Sequence, residues 1–355
     1  MTGARVAVIG GGVIGLSIAW RAAAAGHRVE LFDPADGSAA AQVAGGMLAP
    51  LSEARPGEEA ALDFGAASLE RWPGFIADLG TDPTSARGAL TVALDGADLT
   101  DRHKAAAWVA ERGHDIRPLT RREVRDLEPT LGPSIRGGVL APTEGSVDNR
   151  QLLAALRAAA AAAGVVHTRT AVTETATLPH DRVVIAAGWR SAALLPERLA
   201  AMLYPAKGEI LRVRTRPGSA VGPRHVIRAA VHGRPAYLVP RADGYVVGAT
   251  QYEHGDDRAV TVAGVRDLLQ DAELVFPAIG DYELFESAAG LRPMSRDDLP
   301  LIGTLDEDGY TGTIVACGHG RNGVLLAPLT ADAVLAALDG HVLTEAAAAL
   351  PERVK

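Results

Sequence analysis

The hydrophobic pattern at the N-terminus predicts a strand, a turn and a helix in quick succession. Apolar, mostly β-branched residues run from Val6 to Ile9, three glycines follow, and an alanine-rich apolar segment from Val13 to Ala25 has the length of a helix. Gly26 is the expected end of that helix, and a second apolar run over 29–32 ends at Asp33. This order predicts a βαβ unit of a parallel sheet.

Later segments predict further helices and strands. Asp148 is suited to the N-cap position before an alanine tract, so we interpret that tract as a helix and not as a linker. A buried strand is expected at 182–187, before Gly188. The other expected elements are helices at 62–79, 102–112, 150–163 and 324–338, and strands at 210–214, 236–239, 245–249 and 313–316.

The distribution of these elements predicts an α/β protein in which a Rossmann-like domain is interrupted by a mainly antiparallel β domain. The Rossmann-like domain, which would bind the cofactor, is expected at residues 1–85, 145–205 and 285–355. The inserted domain, which would bind the substrate, is expected at 86–144 and 206–284. A chain of 355 residues is long enough for two such domains.

Charge and cysteine content narrow the class of protein. The formal net charge of -8 disfavours nucleic acid and anionic membranes as partners. Cys317 is the single cysteine, which excludes an intrachain disulfide and a cysteine-rich zinc site and fits a cytoplasmic protein. The apolar run from Val6 to Ala25 is broken by three glycines, so we do not expect a signal peptide, and no other run is long enough to span a bilayer.

The first turn carries the fingerprint of a dinucleotide-binding site. Gly10, Gly12 and Gly15 are spaced as G-x-G-x-x-G between a predicted strand and helix, and Asp33 follows at the end of the next strand. Glycines let the backbone approach a pyrophosphate, the helix N-terminus favours its charge, and Asp33 would accept hydrogen bonds from a ribose. The fingerprint alone does not separate NAD from FAD.

Five segments together resemble the glycine oxidase family, in that family's order and over nearly the whole chain: Gly10–Gly15, Ala44–Pro50, Tyr237–Arg241, Gly290–Pro293 and Gly318–Pro328. The resemblance implies a D-amino-acid oxidase-like fold that binds FAD noncovalently. It also implies oxidation of glycine, sarcosine or small D-amino acids such as D-alanine to the imine, with O2 reduced to H2O2. In many bacteria that imine supplies thiamine thiazole synthesis, and the family suggests a homotetramer.

The resemblance implies a role for individual residues as well. Cofactor contacts are expected from the glycine fingerprint, the second strand, the loop after it and the segment before the last helix: Gly10, Gly12, Val13, Ile14, Gly15, Asp33, Pro34, Gly45, Gly46, Met47, Val172, His319, Gly320, Arg321, Asn322, Gly323, Val324 and Leu325. Substrate contacts are expected from Tyr237, Gln251, Arg292 and Arg321. The family often has methionine at the position of Gln251, so the substrate preference can differ here.

Arg292 and Tyr237 also have a chemical rationale. A guanidinium clamps a carboxylate through two parallel hydrogen bonds, and a phenol adds a neutral donor. The alternatives are a surface arginine in a segment with little helical or strand character and a buried tyrosine satisfied by a backbone carbonyl.

The glycine-rich segment before the last helix offers a second kind of contact. A helix that starts near Gly323 would direct its N-terminus at a reduced flavin and stabilise negative charge there. The alternative is a flexible loop. His319 is expected to pack or to contact the flavin, because no second histidine stands at ligand spacing, and no metal site is predicted.

No catalytic side chain stands out, which fits hydride transfer that depends on positioning and on the cofactor. Three rivals stay open at this point. A D-amino-acid dehydrogenase would pass electrons to an acceptor other than O2, an NAD-dependent dehydrogenase would share the fingerprint, and a nonenzymatic flavin-binding protein would share the fold.

Overall fold

The structure is a computed structural model that describes residues 3–305 and 307–355. Residues 1, 2 and 306, which belong to the segments predicted for the Rossmann-like domain, lie outside the described residues. The strands are β1 (Arg5–Ile9), β2 (Arg28–Phe32), β3 (Met47–Leu48), β4 (Thr84–Ala93), β5 (Arg117–Thr120), β6 (Gly137–Val147), β7 (Val166–Thr168), β8 (Arg182–Ile185), β9 (Leu203–Arg214), β10 (Val226–Val231), β11 (Arg234–Arg241), β12 (Gly244–Gly248), β13 (Glu283–Ser295), β14 (Leu301–Thr304) and β15 (Thr313–Cys317).

The described helices include the five that the pattern predicts and four that it does not. They are α1 (Val13–Ala24), α2 (Pro50–Glu53), α3 (Glu59–Leu79), α4 (Gly96–Ala110), α5 (Arg121–Leu127), α6 (Asn149–Ala162), α7 (Glu197–Ala200), α8 (Val262–Val275) and α9 (Ala327–Leu338). Asp148 caps α6 as predicted, since its carboxylate accepts hydrogen bonds from the amides of Arg150 and Gln151. None of the described helices combines the length and apolar composition that a membrane crossing requires.

A six-stranded sheet confirms the Rossmann-like prediction. Its strand order is β14-β15-β8-β1-β2-β7, and only the pair β14–β15 is antiparallel. Both N-terminal strands predicted from the pattern lie side by side in this sheet, with α1 connecting them. The largest apolar core fills the space between this sheet and the helices α1, α3, α6 and α9.

A nine-stranded sheet forms the other half of the molecule and confirms the predicted antiparallel layer. Its order is β13-β9-β12-β11-β10-β4-β6-β3, with β5 paired to β6, and only β10–β4 is parallel. A second apolar core, which includes Phe276, packs α8 against its outer face. Strand β13 begins at Glu283, across the predicted domain boundary at 285, and joins this sheet. The domain bounds themselves stay a prediction.

Strand β13 corrects one expectation from the sequence. Arg292 was expected in a segment with little strand character, but it lies near the end of this 13-residue strand. Gly290 and Pro293 hide the pattern, since both are unfavourable in a central strand. Because β13 is at the edge of its sheet, the missing N–H of the proline breaks no hydrogen bond between strands.

Candidate active site

One large cavity lies between the two sheets. Its volume is about 1470 Å³, more than the 300–1,000 Å³ of typical small-molecule pockets. It is lined by both glycine-rich segments and by Tyr237, Gln251, Arg292 and Arg321. A volume of this size has room for a dinucleotide and a second, smaller molecule. The cavity therefore brings together residues that are more than 300 positions apart in sequence, such as Ile9 and Val324.

Two predicted cofactor residues do not line this cavity. Gly15 lies in the first turn of α1, where an added Cβ would sit 1.8 Å from the carbonyl oxygen of Gly10. A glycine is therefore needed here for close packing of the helix on the strand. Leu325 is fully buried, and its carbonyl oxygen accepts hydrogen bonds from Ser68 Oγ at 2.7 Å and Trp72 Nε1 at 3.0 Å. The expected cofactor contacts of these two residues stay a prediction.

The glycine turn between β1 and α1 leaves open space above the helix. Gly10 has a φ of +113°, which other residues rarely adopt. A Cβ on Gly12 would meet nothing within 4 Å, so this residue faces the cavity. Gly12 occupies the N-cap of α1 without a side-chain hydrogen bond, and the amides of the first turn are left for a ligand. The turn fits the pyrophosphate of the FAD that the resemblance implies.

Asp33 explains a glycine that the fingerprint leaves unspecified. Its side chain packs so closely on the turn that a Cβ on Gly11 would lie 2.2 Å from Asp33 Oδ2. The amide of Asp33 donates to the carbonyl of Thr168 at 3.1 Å, which fixes the end of β2 beside β7. A carboxylate held at the edge of the cavity suits the ribose of a dinucleotide.

The loop after β2 is held over the cavity by polar contacts. Asn149 Nδ2 donates to the carbonyls of Ala41 and Gln42 at 2.6 and 3.0 Å. Arg241 Nη2 donates to the carbonyl of Gly45 at 2.8 Å. At Gly46, φ is +76° and a Cβ would lie 2.1 Å from the carbonyl oxygen of Val147. These contacts keep the backbone of the loop close to the cavity, where Met47 is half-buried.

The side chain of Arg292 extends from β13 across the neighbouring strand β9, and the residue lines the cavity. A Cβ on Gly208 would lie 2.4 Å from Arg292 Nη2, so the guanidinium lies directly against this glycine. Its Nη1 donates to the carbonyl of Thr250 at 3.2 Å. Among the described residues no carboxylate lies within ion-pair distance of Arg292. Its remaining donors can therefore meet a ligand.

The ring of Tyr237 packs against two glycines. A Cβ on Gly45 would lie 3.1 Å from its ring, and one on Gly248 would lie 2.3 Å from its hydroxyl oxygen. The ring thus connects the cofactor loop to the nine-stranded sheet. Burial raises the pKa of Tyr237 above its ordinary value, an effect that the nearby charge of Arg292 reduces but does not remove. The phenol stays protonated at neutral pH and can donate a hydrogen bond.

Sequence reasoning missed an arginine pair that shares one carboxylate. Glu53 accepts from Arg228 Nη2 at 2.8 Å and from Arg321 Nε at 2.7 Å. Burial opposes the charge of Glu53, but Arg228, Arg321 and Arg292 together hold its pKa below the ordinary value. Arg321 therefore reaches the cavity with its guanidinium already paired. The signal in the sequence is an acidic residue two positions after Leu51, where the apolar segment ends.

A second buried carboxylate, that of Glu144, holds the segment that carries Glu53. Glu144 accepts hydrogen bonds from the amides of Leu51 and Ser52, and its Oε2 accepts from Ser52 Oγ at 2.7 Å. Ser52 Oγ in turn accepts from Arg228 Nη1 at 2.9 Å. Burial raises the pKa of Glu144 to about 7, although these hydrogen bonds act against the shift. The segment that carries Glu53 is thus fixed to β6.

Gln251 lies on a loop that is anchored by an ion pair between buried Lys207 and partly exposed Asp257. Lys207 Nζ is fully buried and donates to Asp257 Oδ2 at 2.6 Å and to the carbonyl of Ala259 at 2.8 Å. The backbone of Lys207 also pairs with that of Tyr252, next to Gln251. Gln251 itself is exposed and lines the cavity.

The segment before α9 reaches the cavity, but the helix starts later than expected. A short 3-10 turn covers Gly320–Asn322, and α9 begins at Ala327 with Pro328 in its first turn, where proline is favoured. His319 is buried, its Nε2 lies 3.0 Å from Thr330 Oγ1, and burial lowers its pKa to about 3. It is therefore a neutral packing residue at the cavity wall.

The chain is similar to known proteins over most of its length. The family model described as FAD dependent oxidoreductase, DAO, matches residues 5–337. Glycine oxidase of Geobacillus kaustophilus is 32% identical over 349 residues, which cover 92% of this chain and 90% of that protein. A protein of Rhizobium etli that carries the name thiamine biosynthesis oxidoreductase ThiO is 34% identical over 343 residues, covering 93% of this chain and 95% of that protein.

Solved structures agree with these sequence matches. The crystal structure of glycine oxidase from Geobacillus kaustophilus has a TM-score of 0.88 to this chain, at 29% identity and with 98% of each chain covered. Glycine oxidase from Bacillus cereus has a TM-score of 0.84, at 28% identity and with 95% of each chain covered. The architecture of two sheets around one cavity is therefore shared with enzymes of known structure.

Proposed function

The chain belongs to the family of FAD-dependent oxidoreductases, and from that premise we propose that it oxidises glycine or another small amino acid at the expense of O2. For glycine the balanced reaction is glycine, O2 and water giving glyoxylate, ammonia and H2O2. Sarcosine and D-alanine belong to the same substrate class. FAD supplies the electron chemistry when bound, because it accepts a hydride equivalent from the substrate Cα and passes two electrons to O2.

The observation that carries this proposal is an arginine, Arg292, that has no carboxylate partner among residues 3–305 and 307–355. Arg292 reaches the cavity beside the neutral phenol of Tyr237 and makes its hydrogen bond to a carbonyl. Two parallel N–H groups of a guanidinium match the two oxygens of a substrate carboxylate, and the phenol adds a third donor. Binding the carboxylate in this way would fix the orientation of Cα.

The other residues of the cavity have supporting parts in the proposal. Gly12, Asp33 and Gly46 would hold the cofactor, while Glu53 keeps Arg321 in place at the wall. His319 stays neutral because its pKa is about 3, so it is not a base at neutral pH. The proposed reaction needs no base from the chain if the substrate amine binds unprotonated, and positioning then accounts for most of the catalysis.

The metabolic role that fits this reaction is supply of the glycine imine to thiamine thiazole synthesis. Support comes from the similarity to the Rhizobium etli protein, whose name refers to thiamine biosynthesis. A deletion strain should then require thiazole for growth, and restored growth should depend on Arg292. Growth without added thiazole would point to amino-acid catabolism instead.

We further infer a cytoplasmic homotetramer that binds FAD without a covalent bond. The single cysteine is free and buried, as suits a reducing compartment, and the tetramer rests on the family resemblance. Light scattering of the purified protein and release of FAD on acid precipitation check the two molecular statements.

The test of the proposed function is a substrate panel with the purified yellow protein. We expect glycine, sarcosine or D-alanine to bleach the flavin without oxygen and to yield H2O2 in air. Arg292→Lys should keep the charge but lose the two-point contact, which raises KM about tenfold or more. Bleaching without peroxide in air would identify a dehydrogenase, and unchanged kinetics of Arg292→Lys would contradict the role of this arginine.

A further inference from the structure

Lys207 and Glu209 are two buried charges that the proposed reaction does not use. Both side chains are 0% exposed, which is rare for charged residues. They lie on β9 on either side of Gly208, the glycine against which the guanidinium of Arg292 lies. Because side chains alternate along a strand, the two charges lie on the face of the sheet opposite to Arg292. The glycine that makes room for Arg292 is therefore flanked by a buried ion pair.

The ammonium group of Lys207 uses all of its donors. Its Nζ donates to Asp257 Oδ2 at 2.6 Å and to the carbonyl of Ala259 at 2.8 Å, and Glu209 Oε1 lies 3.4 Å away. An ammonium has three N–H groups, so each one has a partner among the described residues. Asp257 and Ala259 belong to residues 250–261, which connect β12 to α8 and which we call the 250–261 segment. Lys207 therefore joins this segment to β9.

Glu209 holds both ends of the same segment. At its start, Thr250 Oγ1 accepts a hydrogen bond from the amide of Glu209 at 2.9 Å. At its end, the amide of Thr261, the N-cap residue of α8, donates to Glu209 Oε1 at 2.9 Å. The carboxylate packs so closely on α8 that it leaves no room for a Cβ on Gly264. The two buried charges thus fasten the segment at its start, at its end and, through Asp257, in between.

The start of the segment is part of the cavity wall. The carbonyl of Thr250 accepts the hydrogen bond from Arg292 Nη1 at 3.2 Å, and the next residue, Gln251, lines the cavity. The backbone of Tyr252 exchanges two hydrogen bonds with that of Lys207, at 2.7 and 3.0 Å. The position of the Thr250 carbonyl, and with it that of the guanidinium, therefore depends on how the segment is held against β9.

The middle of the segment has few other contacts with the sheet. Residues 253–256 and Arg258 are exposed. Arg258 Nε donates to Asp256 Oδ1 at 3.4 Å, which is a contact within the segment. Within the described part of the chain, the ion pair that joins this stretch to the sheet is the one between Lys207 and Asp257. Stretches with few buried contacts open locally at low free-energy cost, so the ammonium of Lys207 is what keeps this one in place.

We propose that Lys207 is a positioning residue for substrate binding: it fastens the 250–261 segment to β9 and so holds the Thr250 carbonyl where it orients Arg292. The inference rests on the proposed function, because it takes Arg292 as the residue that binds the substrate carboxylate. Without the ammonium, the guanidinium loses its fixed acceptor and must give up more side-chain freedom each time a carboxylate binds. Lys207 does not line the cavity, so its loss should weaken binding more than it slows the chemical step.

The variants are chosen to separate positioning from a loss of stability. Lys207→Met alone leaves the buried charge of Glu209 without its partner and can unfold the protein, so it is combined with Glu209→Gln. Asp257→Asn removes only the partly exposed carboxylate. Glu128→Gln is the matched control, because Glu128 is also a buried carboxylate and its partner His225 does not line the cavity.

Binding is measured without turnover. The probe is methoxyacetate, a carboxylate with an ether oxygen in place of the amine, titrated by calorimetry into the FAD-loaded protein. We expect the double variant to raise its Kd about tenfold and Asp257→Asn to raise it about two- to threefold. KM for the amino acid that is oxidised should rise by the same factors, while kcat changes less than about threefold. Glu128→Gln should leave both Kd and KM unchanged.

Limited proteolysis reports on the segment itself. In the double variant, trypsin should cleave after exposed Arg258 about tenfold faster than in the original protein. Faster cleavage with an unchanged Kd would overturn the inference, because the segment would then move without disturbing Arg292. A Kd that rises equally in Glu128→Gln would also contradict it, since the cause would be a general loss of stability. If Arg292→Lys leaves the Kd unchanged, the carboxylate does not bind at this arginine, and the proposed function is what fails.

Discussion

Replacing Gly208 by alanine tests whether the position of Arg292, and not merely its charge, is required for substrate binding. The new Cβ would lie 2.4 Å from Arg292 Nη2 and 2.5 Å from its Cζ and Nη1. All three nearest atoms belong to the end of a flexible side chain, so the arginine can move and the strand can stay. Alanine in a strand is no worse than glycine for the backbone, and we expect the variant to fold.

The size of the effect follows from this overlap. Ordinary contact with a Cβ begins at 3.4 Å, so the guanidinium must retreat by about 1 Å. A displacement of that size can lower catalysis about 100-fold when it disturbs positioning. This corresponds to about 2.7 kcal/mol, within the range for hydrogen bonds to charged groups. We therefore expect kcat/KM for glycine to fall about 100-fold, mainly through KM.

The assay is initial-rate peroxide formation, with FAD absorbance and thermal unfolding as checks that the cofactor site and the fold persist. Gly74→Ala is the matched control, because its Cβ would meet nothing within 4 Å. If Gly208→Ala retained kcat/KM within about twofold of the original protein while Arg292→Lys did not, the guanidinium would not need its present position and the clamp geometry would be wrong.

Three further predictions concern the cofactor turn, the buried carboxylate and the cysteine. Gly12→Val should fold but lose FAD, because its side chain would fill open space above α1; a yellow variant would contradict this. Glu144 has its folded pKa raised to about 7 from 4.5, so its stabilising contribution is present at low pH and is lost as pH rises through 7. The free energy of unfolding of the original protein relative to Glu144→Gln should fall by up to about 3 kcal/mol between pH 4.5 and 8 in urea titrations, and a pH-independent difference would refute the assignment. Cys317 is buried, and burial raises its pKa to about 12, so thiol reagents should label it only after unfolding; rapid labelling of the native protein would show that this core opens.

The local features of the fold could be predicted from the sequence because they depend on neighbours in the chain. The first strand, helix and second strand follow from apolar runs separated by glycine, and the cap at Asp148 needs only the residues just after it. The glycine fingerprint also specifies a backbone conformation, whose purpose is clear from Gly12 and its open surroundings. In each case the interacting groups are a few residues apart, so their spacing determines their geometry.

For the cavity residues, the sequence could suggest a role, but it could not show which side chains face the cavity. Arg292 and Tyr237 could be proposed from a family pattern, but the sequence alone left a surface arginine and a satisfied tyrosine as alternatives. Leu325 shows what such a pattern leaves open, because it belongs to the same segment as residues that line the cavity and is itself buried in the core. The direction of each side chain depends on how that segment turns before α9.

Only the tertiary structure decided the arrangement around Glu53. Arg228 meets Glu53 because β10 pairs in parallel with β4, and a shift of one residue in that register would turn Arg228 to the opposite face of the sheet. Thr91 lies beside it for the same reason, although the two residues are far apart in sequence. Spacing along the chain determines which backbone conformations are possible, whereas pairing between distant strands determines which charges share a cavity.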